Sequence, residues 1–486
     1  MAKDQTSKTL SRRAFVEKTA LGAAGFTIVP RYVLGGPGYT APSDKLNIAA
    51  VGVGGRGNGV IRGASGWRPV GGAKENVVAL CDVDQRQAAN AYKMFRKAKR
   101  YEDFRVMLEE MKDDIDAVTI ATPDHTHAVI AMAAMQMGKH VYVEKPLTHS
   151  VHEARTLTEA ARRYGVITQM GNQGNSGDDI RRICEWIWAD LIGEVTEVHC
   201  WTNRPVWPQG LTRPTKSQAI PKDLNWDLWL GPAPERPYHE TYLPFSWRGW
   251  WDFGTGALGD MACHVIDPAF EALKLGYPDS IEAQASTLYV RNWEQSRFQE
   301  SPPPSTQIRY EFPARDEMPA VSLTWYDGGL MPWRPAELKE GEKMGDDAGG
   351  VLFIGSKGKL MCDTYGRNPR LLPLEKMSDL QEPTPTLERV PDQDHQKVWV
   401  EGCKTGKQPS SNFDYAGPLT ETVLMGNLGI RSFFHLGEFT RNGRNQRGFT
   451  GRKKLLWDGK NMRITNFAPA NQYVQRPYRK GWSLGE

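Results

Sequence analysis

Cysteine is scarce in this chain and is never clustered. The sequence of 486 residues contains six cysteines, and no two of them form a C-x-x-C pair. The lack of such pairs argues against a zinc site or a redox dithiol, and the length excludes a small module stapled by disulfides. We therefore expect the cysteines to be buried free thiols.

Long apolar runs and an excess of one charge are also missing from most of the chain. After residue 43, no segment offers the roughly 18 consecutive apolar residues of a membrane span, so we expect no membrane anchor. The formal net charge is +4, and residues 1–43 alone carry six basic and two acidic side chains. The rest of the chain therefore sums to zero, which argues against a nucleic acid as a partner.

Residues 1–43 have the pattern of an export leader. Arg12 and Arg13 precede a mildly apolar run over residues 19–29, and a linker rich in Gly and Pro follows over residues 35–43. The run is too short to span a bilayer, and its weak hydrophobicity favours the twin-arginine route over the general secretory route. An amphipathic N-terminal helix is the alternative interpretation. The leader predicts a periplasmic protein that is exported after folding.

A glycine-rich turn follows the first predicted strand after the leader. The apolar run over residues 46–52 leads into the pattern G-x-G-x-x-G, which is formed by Gly52, Gly54, Gly55, Arg56 and Gly57 with Val53. These glycines permit a tight turn, the approach of a pyrophosphate and close packing of strand and helix. A second apolar run ends at Asp82, where a carboxylate can bond the ribose hydroxyls of a dinucleotide. Because Asp82 would repel a 2′-phosphate, NAD is favoured over NADP.

Predicted strands and helices alternate after this turn. Residues 115–123 and 140–146 have the composition of strands, and a helix-like stretch over residues 127–137 separates them. Such alternation predicts an α/β fold with a doubly wound parallel sheet, whose ligands bind beyond the carboxyl ends of the strands. The candidate cofactor contacts at these ends are Thr122, Pro123, His127, Glu144 and Lys145. A helix-capping role for His127 is an equal alternative.

Four motifs, in order along the chain, resemble the Gfo/Idh/MocA oxidoreductases. They are Thr-Pro-Asp-His-Thr-His at 122–127, Glu-Lys-Pro at 144–146, Gln-Met-Gly-Asn-Gln at 169–173 and Gly-Ala-Leu-Gly-Asp-Met-Ala-Cys-His at 256–264. The resemblance implies a Rossmann domain followed by a larger C-terminal α/β domain with an open, mostly antiparallel or mixed sheet. That second domain is expected to bind substrate and to form the interface of a dimer or tetramer.

These boundaries divide the chain into three parts. The leader and linker occupy residues 1–43, the NAD-binding Rossmann domain occupies residues 44–168, and the substrate-binding and oligomerisation domain with its tail occupies residues 169–486.

The resemblance also implies a catalytic set, and the chemistry of the residues supports it. Lys145 is placed near the nicotinamide and the reacting hydroxyl, while Asp260 and His264 come from the second domain. Asp260 and His264 are spaced i, i+4, so on a helix they share one face. We assign His264 as the base, Lys145 as the polarising cation and Asp260 as the residue that orients His264. The alternative is a helix-end hydrogen-bond pair with an ordinary surface lysine. No metal-ligand spacing is present, so we expect no metal.

Tryptophan is concentrated before this helix. Nine of the 16 tryptophans fall between residues 186 and 251, and aromatic faces stack on the apolar faces of sugar rings. Core packing must explain most of them. Trp247, Trp250 and Trp251 are the candidates for contact with a sugar, and Asn172 is a further candidate substrate contact.

The function that follows is an NAD(P)-dependent oxidoreductase acting on a secondary hydroxyl of a sugar, glycoside or polyol. The periplasm offers no free nicotinamide pool, so we expect NAD to be loaded before export and recycled in place. One alternative is a redox-neutral, NAD-dependent glycoside hydrolase. Another is a sugar-binding protein without catalytic activity.

The tail carries weaker patterns. A charged loop over residues 336–349 is expected to cover the pocket, and residues 351–362 are expected to form a hairpin. Helices are predicted over residues 393–403 and 419–436, the second with Pro418 in its first turn. Residues 464–484 are expected to lie irregularly across the protein surface.

Overall fold

The computed structural model describes residues 44–70 and 72–485. The twin-arginine leader predicted over residues 1–43 lies outside these described residues. All six cysteines lie inside them and are free thiols, five of them buried. No helix in the described part of the chain has the length and apolarity needed to cross a membrane.

A six-stranded parallel sheet forms the first domain. Its strands are short and apolar, and strands from the centre of the sheet, such as Ala117–Ile120, are buried along their whole length. This is the pattern of a parallel sheet that is covered by helices on both faces. The strands are β1 (Asn47–Val51), β2 (Asn76–Cys81), β3 (Lys99–Tyr101), β4 (Ala117–Ile120), β5 (His140–Val143) and β6 (Thr168–Met170). The helices are α1 (Gly55–Ala64), α2 (Gln85–Met94), α3 (Phe104–Glu110), α4 (Asp124–Gln136) and α5 (Val151–Tyr164).

The strand order places a ligand crevice at β1. The order is β3-β2-β1-β4-β5-β6, so the chain moves outward from β1 in one direction and then returns to build the other half. Ligands bind at such a switch point, beyond the carboxyl ends of the strands. The predicted doubly wound parallel sheet is confirmed.

Residues beyond the predicted boundary contribute to the first domain. β6 continues to Met170 and pairs with β5, so the predicted division between residues 168 and 169 falls inside this strand. A helix late in the chain, α10 (His395–Thr405), returns to the first domain, where Trp399 and Val400 join the apolar cluster around Ile48. The Rossmann domain is therefore completed by residues from far along the chain.

A nine-stranded mixed sheet forms the second domain. The strands are β7 (Val195–Thr202), β8 (Ser280–Ala285), β11 (Thr306–Phe312), β12 (Val321–Tyr326), β13 (Gly349–Gly355), β14 (Lys359–Asp363), β15 (Arg370–Leu372), β18 (Leu455–Asp458) and β19 (Arg463–Ile464). Their order in the sheet is β15-β14-β13-β7-β12-β11-β8-β18-β19, with β12 and β7 parallel and the other pairs antiparallel. The predicted open mixed sheet is confirmed. Two separate ribbons pair β9 (Tyr289–Arg291) with β10 (Glu294–Gln295), and β16 (Leu436–Arg441) with β17 (Arg444–Phe449).

Helices cover one face of this sheet and bring the catalytic candidates to the first domain. The remaining helices are α6 (Asp178–Trp188), α7 (Trp226–Leu230), α8 (Gly256–Val265), α9 (Asp267–Ala272) and α11 (Phe413–Phe433). Every residue of α8 is buried, and α8 packs against α11. Asp260 and His264 both lie on α8, as predicted.

The tail confirms some expectations and corrects others. Residues 351–362 form the expected hairpin of β13 and β14, and α10 corresponds to the helix expected over residues 393–403. Helix α11 begins at Phe413, so the prediction that Pro418 stands in its first turn is wrong. The side chain of Asn412 accepts a hydrogen bond from the Asp414 amide and caps the helix there.

The loop over residues 336–349 does not cover the pocket. Asp346 accepts hydrogen bonds from the Gly349 amide and from the Thr364 hydroxyl, so the loop folds back on β13 and on the segment after β14. The last segment does lie across the surface. Arg476 and Tyr478 both donate to the buried carboxylate of Glu153 on α5.

Candidate active site

A cavity of about 540 Å³ lies where α8 meets the carboxyl edge of the parallel sheet. This volume is typical of a pocket for a small molecule. The glycine turn forms one part of its wall, while Lys145 from the first domain and Asp260 and His264 from the second form another. The cavity therefore brings together the predicted cofactor-binding and catalytic residues.

The glycine turn has the shape that a dinucleotide phosphate requires. Gly52 adopts a φ of 75°, and a Cβ atom on Gly57 would lie 1.9 Å from the Gly52 carbonyl oxygen. A side chain at Gly57 would thus push the turn and α1 apart. Gly55 has a φ of 42° and open space around its Cα, and no side chain caps α1. The free amides of the first turn of α1 can therefore face a pyrophosphate, so these residues fit NAD.

Asp82 stands at the end of β2 and lines the same cavity. One carboxylate oxygen accepts hydrogen bonds from the amides of Val53, at 2.9 Å, and Gly54, at 3.3 Å, while the other accepts from the Asp84 amide at 2.9 Å. Burial raises the pKa of Asp82 above its ordinary value, and these backbone bonds oppose the rise. Asp82 thus fixes the conformation of the glycine turn in addition to facing the cavity.

The ends of β4 and β5 supply the next part of the wall. Thr122, Pro123 and Glu144 line the cavity, as does Arg56, whose Nε donates to Glu144 Oε1 at 2.9 Å. His127 is placed differently, because its ring nitrogens lie 2.9 Å and 2.8 Å from the carbonyl oxygens of Pro146 and Thr122. It braces the two strand ends from behind and is not part of the cavity wall.

Lys145 and Asp260 form the centre of the site. Lys145 Nζ donates to the Asp260 carbonyl oxygen at 2.7 Å and to its Oδ1 at 2.9 Å. Arg248 Nε donates to Oδ1 at 2.9 Å, and Arg204 Nε lies 3.4 Å from Oδ2. Burial alone would raise the pKa of Asp260, but the charges and hydrogen bonds of Lys145 and Arg248 hold it well below its ordinary value. Asp260 is therefore a carboxylate shared by three cations.

His264 lies one helical turn beyond Asp260 and also lines the cavity. Its ring contacts Tyr365 edge to face, with centroids 4.7 Å apart, and its Nδ1 has no hydrogen-bond partner among the described residues. Burial and the nearby charge of Lys145 hold the pKa of His264 well below 6.5, against the opposing effect of Asp260. The imidazole is therefore neutral at pH 7 and able to accept a proton.

The structure corrects the role predicted for Asp260. The oxygens of Asp260 bind Lys145, Arg248 and Arg204, and none of them bonds His264. The i, i+4 spacing does put the two side chains on one face of α8, but the cations compete successfully for the carboxylate. Asp260 thus positions Lys145 and does not orient His264.

Of the three candidate tryptophans, the structure places only Trp247 in the cavity wall. Trp250 donates from Nε1 to the Thr241 carbonyl oxygen, and Trp251 donates to that of Phe298, so both pack inward. Asn172 is also buried away from the cavity, where its Nδ2 donates to Asp267 Oδ2 at 2.9 Å. Their burial explains why these three expected substrate contacts do not reach the pocket.

Of the cavity-lining residues that contact Asp260 or His264, three were not predicted as site residues from the sequence, namely Arg204, Arg248 and Tyr365. Arg248 follows Trp247 directly, so a basic residue inside the aromatic segment was a signal that pointed to it. Arg204 lies just after β7, and Tyr365 lies in a turn after β14 with a φ of 65°. Neither belongs to a motif, and only the fold brings them to α8.

No group of three or more His, Cys, Asp or Glu suited to a metal occurs within residues 44–70 and 72–485.

Comparison with known families identifies both domains. Residues 46–172 match an oxidoreductase family with an NAD-binding Rossmann fold, and residues 187–287 match the C-terminal alpha/beta domain of an oxidoreductase family. The predicted NAD-binding Rossmann domain is therefore confirmed.

Curated relatives match mainly over part of the chain. A levoglucosan dehydrogenase from Pseudarthrobacter phenanthrenivorans is 28% identical over 191 residues, which are 39% of this chain and 40% of that protein. A glycosyl hydrolase family 109 protein from Shewanella pealeana is 28% identical over 207 residues, which are 38% of this chain and 44% of that protein. The chain thus spans less than half the length of these relatives in each match.

A solved structure shares the fold over most of its length. The structure of a levoglucosan dehydrogenase in complex with NADH aligns with a TM-score of 0.52 at 17% identity, covering 79% of this chain and 96% of that one. At this identity the likeness shows a common fold.

Proposed function

Since residues 46–172 and 187–287 match the two domain models of the Gfo/Idh/MocA oxidoreductase family, we propose that the protein is an NAD-dependent oxidoreductase that acts on a secondary hydroxyl of a sugar, a glycoside or a polyol. The observation that carries the proposal is the meeting of Lys145, His264 and the glycine turn in one cavity. Trp247 in the same wall offers an aromatic face of the kind that stacks on a sugar ring. The named levoglucosan dehydrogenase among the relatives agrees with this substrate class.

The residues divide the chemistry between them. The glycine turn and Asp82 would hold NAD, which would supply the acceptor for the hydride of the carbinol carbon. His264 takes the proton of the reacting hydroxyl, because its imidazole is neutral at pH 7. Lys145 has three N–H donors, of which Asp260 accepts two, so the third can hold the developing alkoxide. Asp260 keeps this ammonium in place, and Arg248 donates to the same carboxylate oxygen.

The proposal includes retention of NAD through turnover. A twin-arginine leader would export the folded protein with its cofactor to the periplasm, where NAD cannot be exchanged. Reoxidation must then occur in the same cavity, either by a second carbonyl compound or by return of the hydride to the oxidised sugar.

The second of these routes is a redox-neutral glycoside hydrolase, and it is the alternative function. A specific observation favours it, because the relatives include the glycosyl hydrolase family 109 protein described above and an alpha-N-acetylgalactosaminidase from Shewanella oneidensis, 31% identical over 126 residues. In that reaction a ring carbon is oxidised transiently, the aglycone is eliminated, water is added and the ring is reduced again.

The first experiment asks which nucleotide the purified protein carries. The protein is purified without added cofactor and denatured, and the released nucleotide is identified by mass spectrometry. Stoichiometric NAD or NADH is the expected result. An empty protein that binds NAD only weakly would overturn the proposal that NAD is retained through turnover.

The second experiment tests the chemistry with the loaded protein. Aryl glycosides and free sugars are added, the absorbance of bound NADH is followed at 340 nm, and the products are analysed. Accumulated keto-sugar supports the oxidoreductase, and free aglycone without keto-sugar supports the hydrolase. Lys145→Met should lower the rate by about 100-fold or more while NAD stays bound. Lys112→Met, at an exposed lysine paired with Glu109, is the control and should be fully active. Full activity of Lys145→Met would refute the assigned site.

A further inference from the structure

The end of the cavity beside Lys145 and Asp260 carries more positive than negative charge. Lys145, Arg204 and Arg248 surround the single carboxylate of Asp260, with N–O distances between 2.9 and 3.4 Å. All four side chains are at most 23% exposed. Asp260 balances only one of these three positive charges, in a space that is largely shielded from water, and such an excess is costly unless further negative charge balances it.

The other carboxylates near these cations supply only part of the balance. Glu144 is paired with Arg56 at 2.9 Å, and Asp84 with Arg86 at 2.6 Å. Asp124 is buried, accepts a hydrogen bond from the Thr255 hydroxyl at 2.7 Å and is close enough to Arg248 and Lys145 for their charges to oppose the rise of its pKa on burial, so it offsets part of the excess. The phosphates of a dinucleotide would lie at the glycine turn, so they would not meet Arg204 and Arg248 either.

Both arginines keep a donor that nothing in the protein uses. Arg248 donates from Nε to Asp260 and from Nη1 to the Phe245 carbonyl oxygen. Arg204 donates from Nη1 to Asn203 Oδ1, and its Nε forms an ion pair with Asp260 at 3.4 Å. The Nη2 group of each has no acceptor among the residues that the structure describes. These groups are the ones that a guanidinium uses to bind an anionic oxygen.

Aromatic rings hold one of these donors in a fixed position. The guanidinium of Arg248 lies 4.2 Å from the ring centroid of Trp247 and 4.5 Å from that of Phe245. A side chain that is already ordered loses little entropy when a ligand binds, so this arginine is prepared for recognition.

From this geometry we propose that the oxidised sugar carries an anionic group, which the free Nη2 donors of Arg204 and Arg248 bind. The inference deepens the proposed function and rests on it. A carboxylate, as in a uronic acid, and a sulfate or phosphate ester present the same anionic oxygens. The position of both arginines beside Asp260 puts the anion on the sugar itself, next to the reacting ring.

Binding is measured first, because it does not depend on turnover. The probes are methyl glucoside, methyl glucuronide, glucose 6-sulfate and glucose 6-phosphate, titrated into the NAD-loaded protein by calorimetry. At least one anionic probe should bind about 10-fold to 100-fold more tightly than the neutral one, as expected for one or two charge-assisted hydrogen bonds. The probe that binds best identifies the anionic group.

Arg204→Gln is the decisive variant. Arg204 has the longer contact with Asp260, so its loss should disturb the carboxylate least. The preference for the anionic probe should fall about tenfold or more, and Arg204→Lys should restore part of it. Arg213→Gln is the matched control, because Arg213 lies in the same segment but pairs with Glu300 and does not line the cavity. The control should keep the full preference, and its melting temperature and that of Arg204→Gln should match the wild type.

The outcomes separate this inference from the proposed function. Binding of neutral and anionic probes with equal affinity, or binding of none of the anionic probes at millimolar concentration, would overturn the inference. An unchanged preference in Arg204→Gln would do the same. Tight anionic binding without any reduction of bound NAD would support anion binding by the two arginines and refute the proposed oxidation.

Discussion

Lowering the pH from 7.5 to 5.5 tests whether His264 is the base. The imidazole accepts the hydroxyl proton only in its neutral form, which is the form present above its pKa. Burial, with the charge of Lys145, holds the pKa of His264 well below 6.5. The rate of substrate oxidation should therefore stay on its plateau through the pH range in which an ordinary histidine becomes charged.

The expected difference is large enough to measure. A histidine with the ordinary pKa of about 6.5 is about 91% neutral at pH 7.5 and about 9% neutral at pH 5.5, so a rate that depends on it falls roughly tenfold. With its lowered pKa, His264 should lose clearly less of its neutral form over the same interval.

The assay follows reduction of bound NAD in single turnovers at both pH values, in wild type and in His264→Gln. The variant should be slower by about 100-fold or more at either pH. Selective labelling of the ten histidines and titration by NMR, with the variant for assignment, gives the protonation state directly. A roughly tenfold loss in wild type, with a His264 resonance that titrates near pH 6.5, would refute the reasoning.

Three further predictions concern the cofactor and the stability of the fold. Gly57→Ala puts a methyl group 1.9 Å from a carbonyl of the turn, so the folded protein should be purified without NAD; normal NAD content would contradict the role of the turn. Arg155→Met leaves the fully buried Glu421 unpaired and should lower the free energy of unfolding by about 3–5 kcal/mol in urea denaturation, whereas a loss under 1 kcal/mol would not fit. Burial lowers the pKa of His395 to about 4, so the native state resists the proton that the unfolded chain accepts below about pH 6.5. Stability is therefore lost as the pH falls from 6.5 to 4, and His395→Gln should make that loss shallower by about 1.4 kcal/mol per pH unit; parallel curves would exclude this.

A matched surface pair controls the second of these predictions. Arg162 on α5 reaches Asp414 on α11, so it joins the same two helices as Arg155 and Glu421, but both of its partners are more than half exposed. Solvent screens such a pair, so Arg162→Met should change stability little. Equal losses in the two variants would show that burial of Glu421 is not the cause.

The sequence was sufficient where function depends on contiguous motifs. The glycine turn needs strand, turn and helix in immediate succession, and residues 46–64 contain all three. Lys145 follows β5 directly, so its place at the carboxyl edge of the sheet could be deduced from strand alternation. Asp260 and His264 share a helix, and their spacing placed them on one face.

Contacts between distant segments could not be predicted in this way. Arg204 and Arg248 reach Asp260 from a loop after β7 and from a short turn before α8, and no periodicity relates them to it. The tryptophans illustrate the same limit. Trp226 and Trp229 stack with centroids 4.8 Å apart inside an apolar cluster, so a tryptophan-rich segment served mainly as a small core of its own.

The placement of Asp260 accounts for how one contact can govern both catalysis and recognition. Asp260 enters from the second domain and holds Lys145 of the first through two hydrogen bonds, so the ammonium can approach a substrate only where α8 puts it. The same carboxylate accepts a hydrogen bond from Arg248 Nε and forms an ion pair with Arg204 Nε, so both guanidinium groups lie beside the contact that holds Lys145. The carboxylate of Asp260 would therefore position both the reacting hydroxyl and an anionic group on the same sugar. Asp260 does not orient His264 as well, because the imidazole forms no hydrogen bond with the carboxylate. The imidazole is buried against Tyr365 instead.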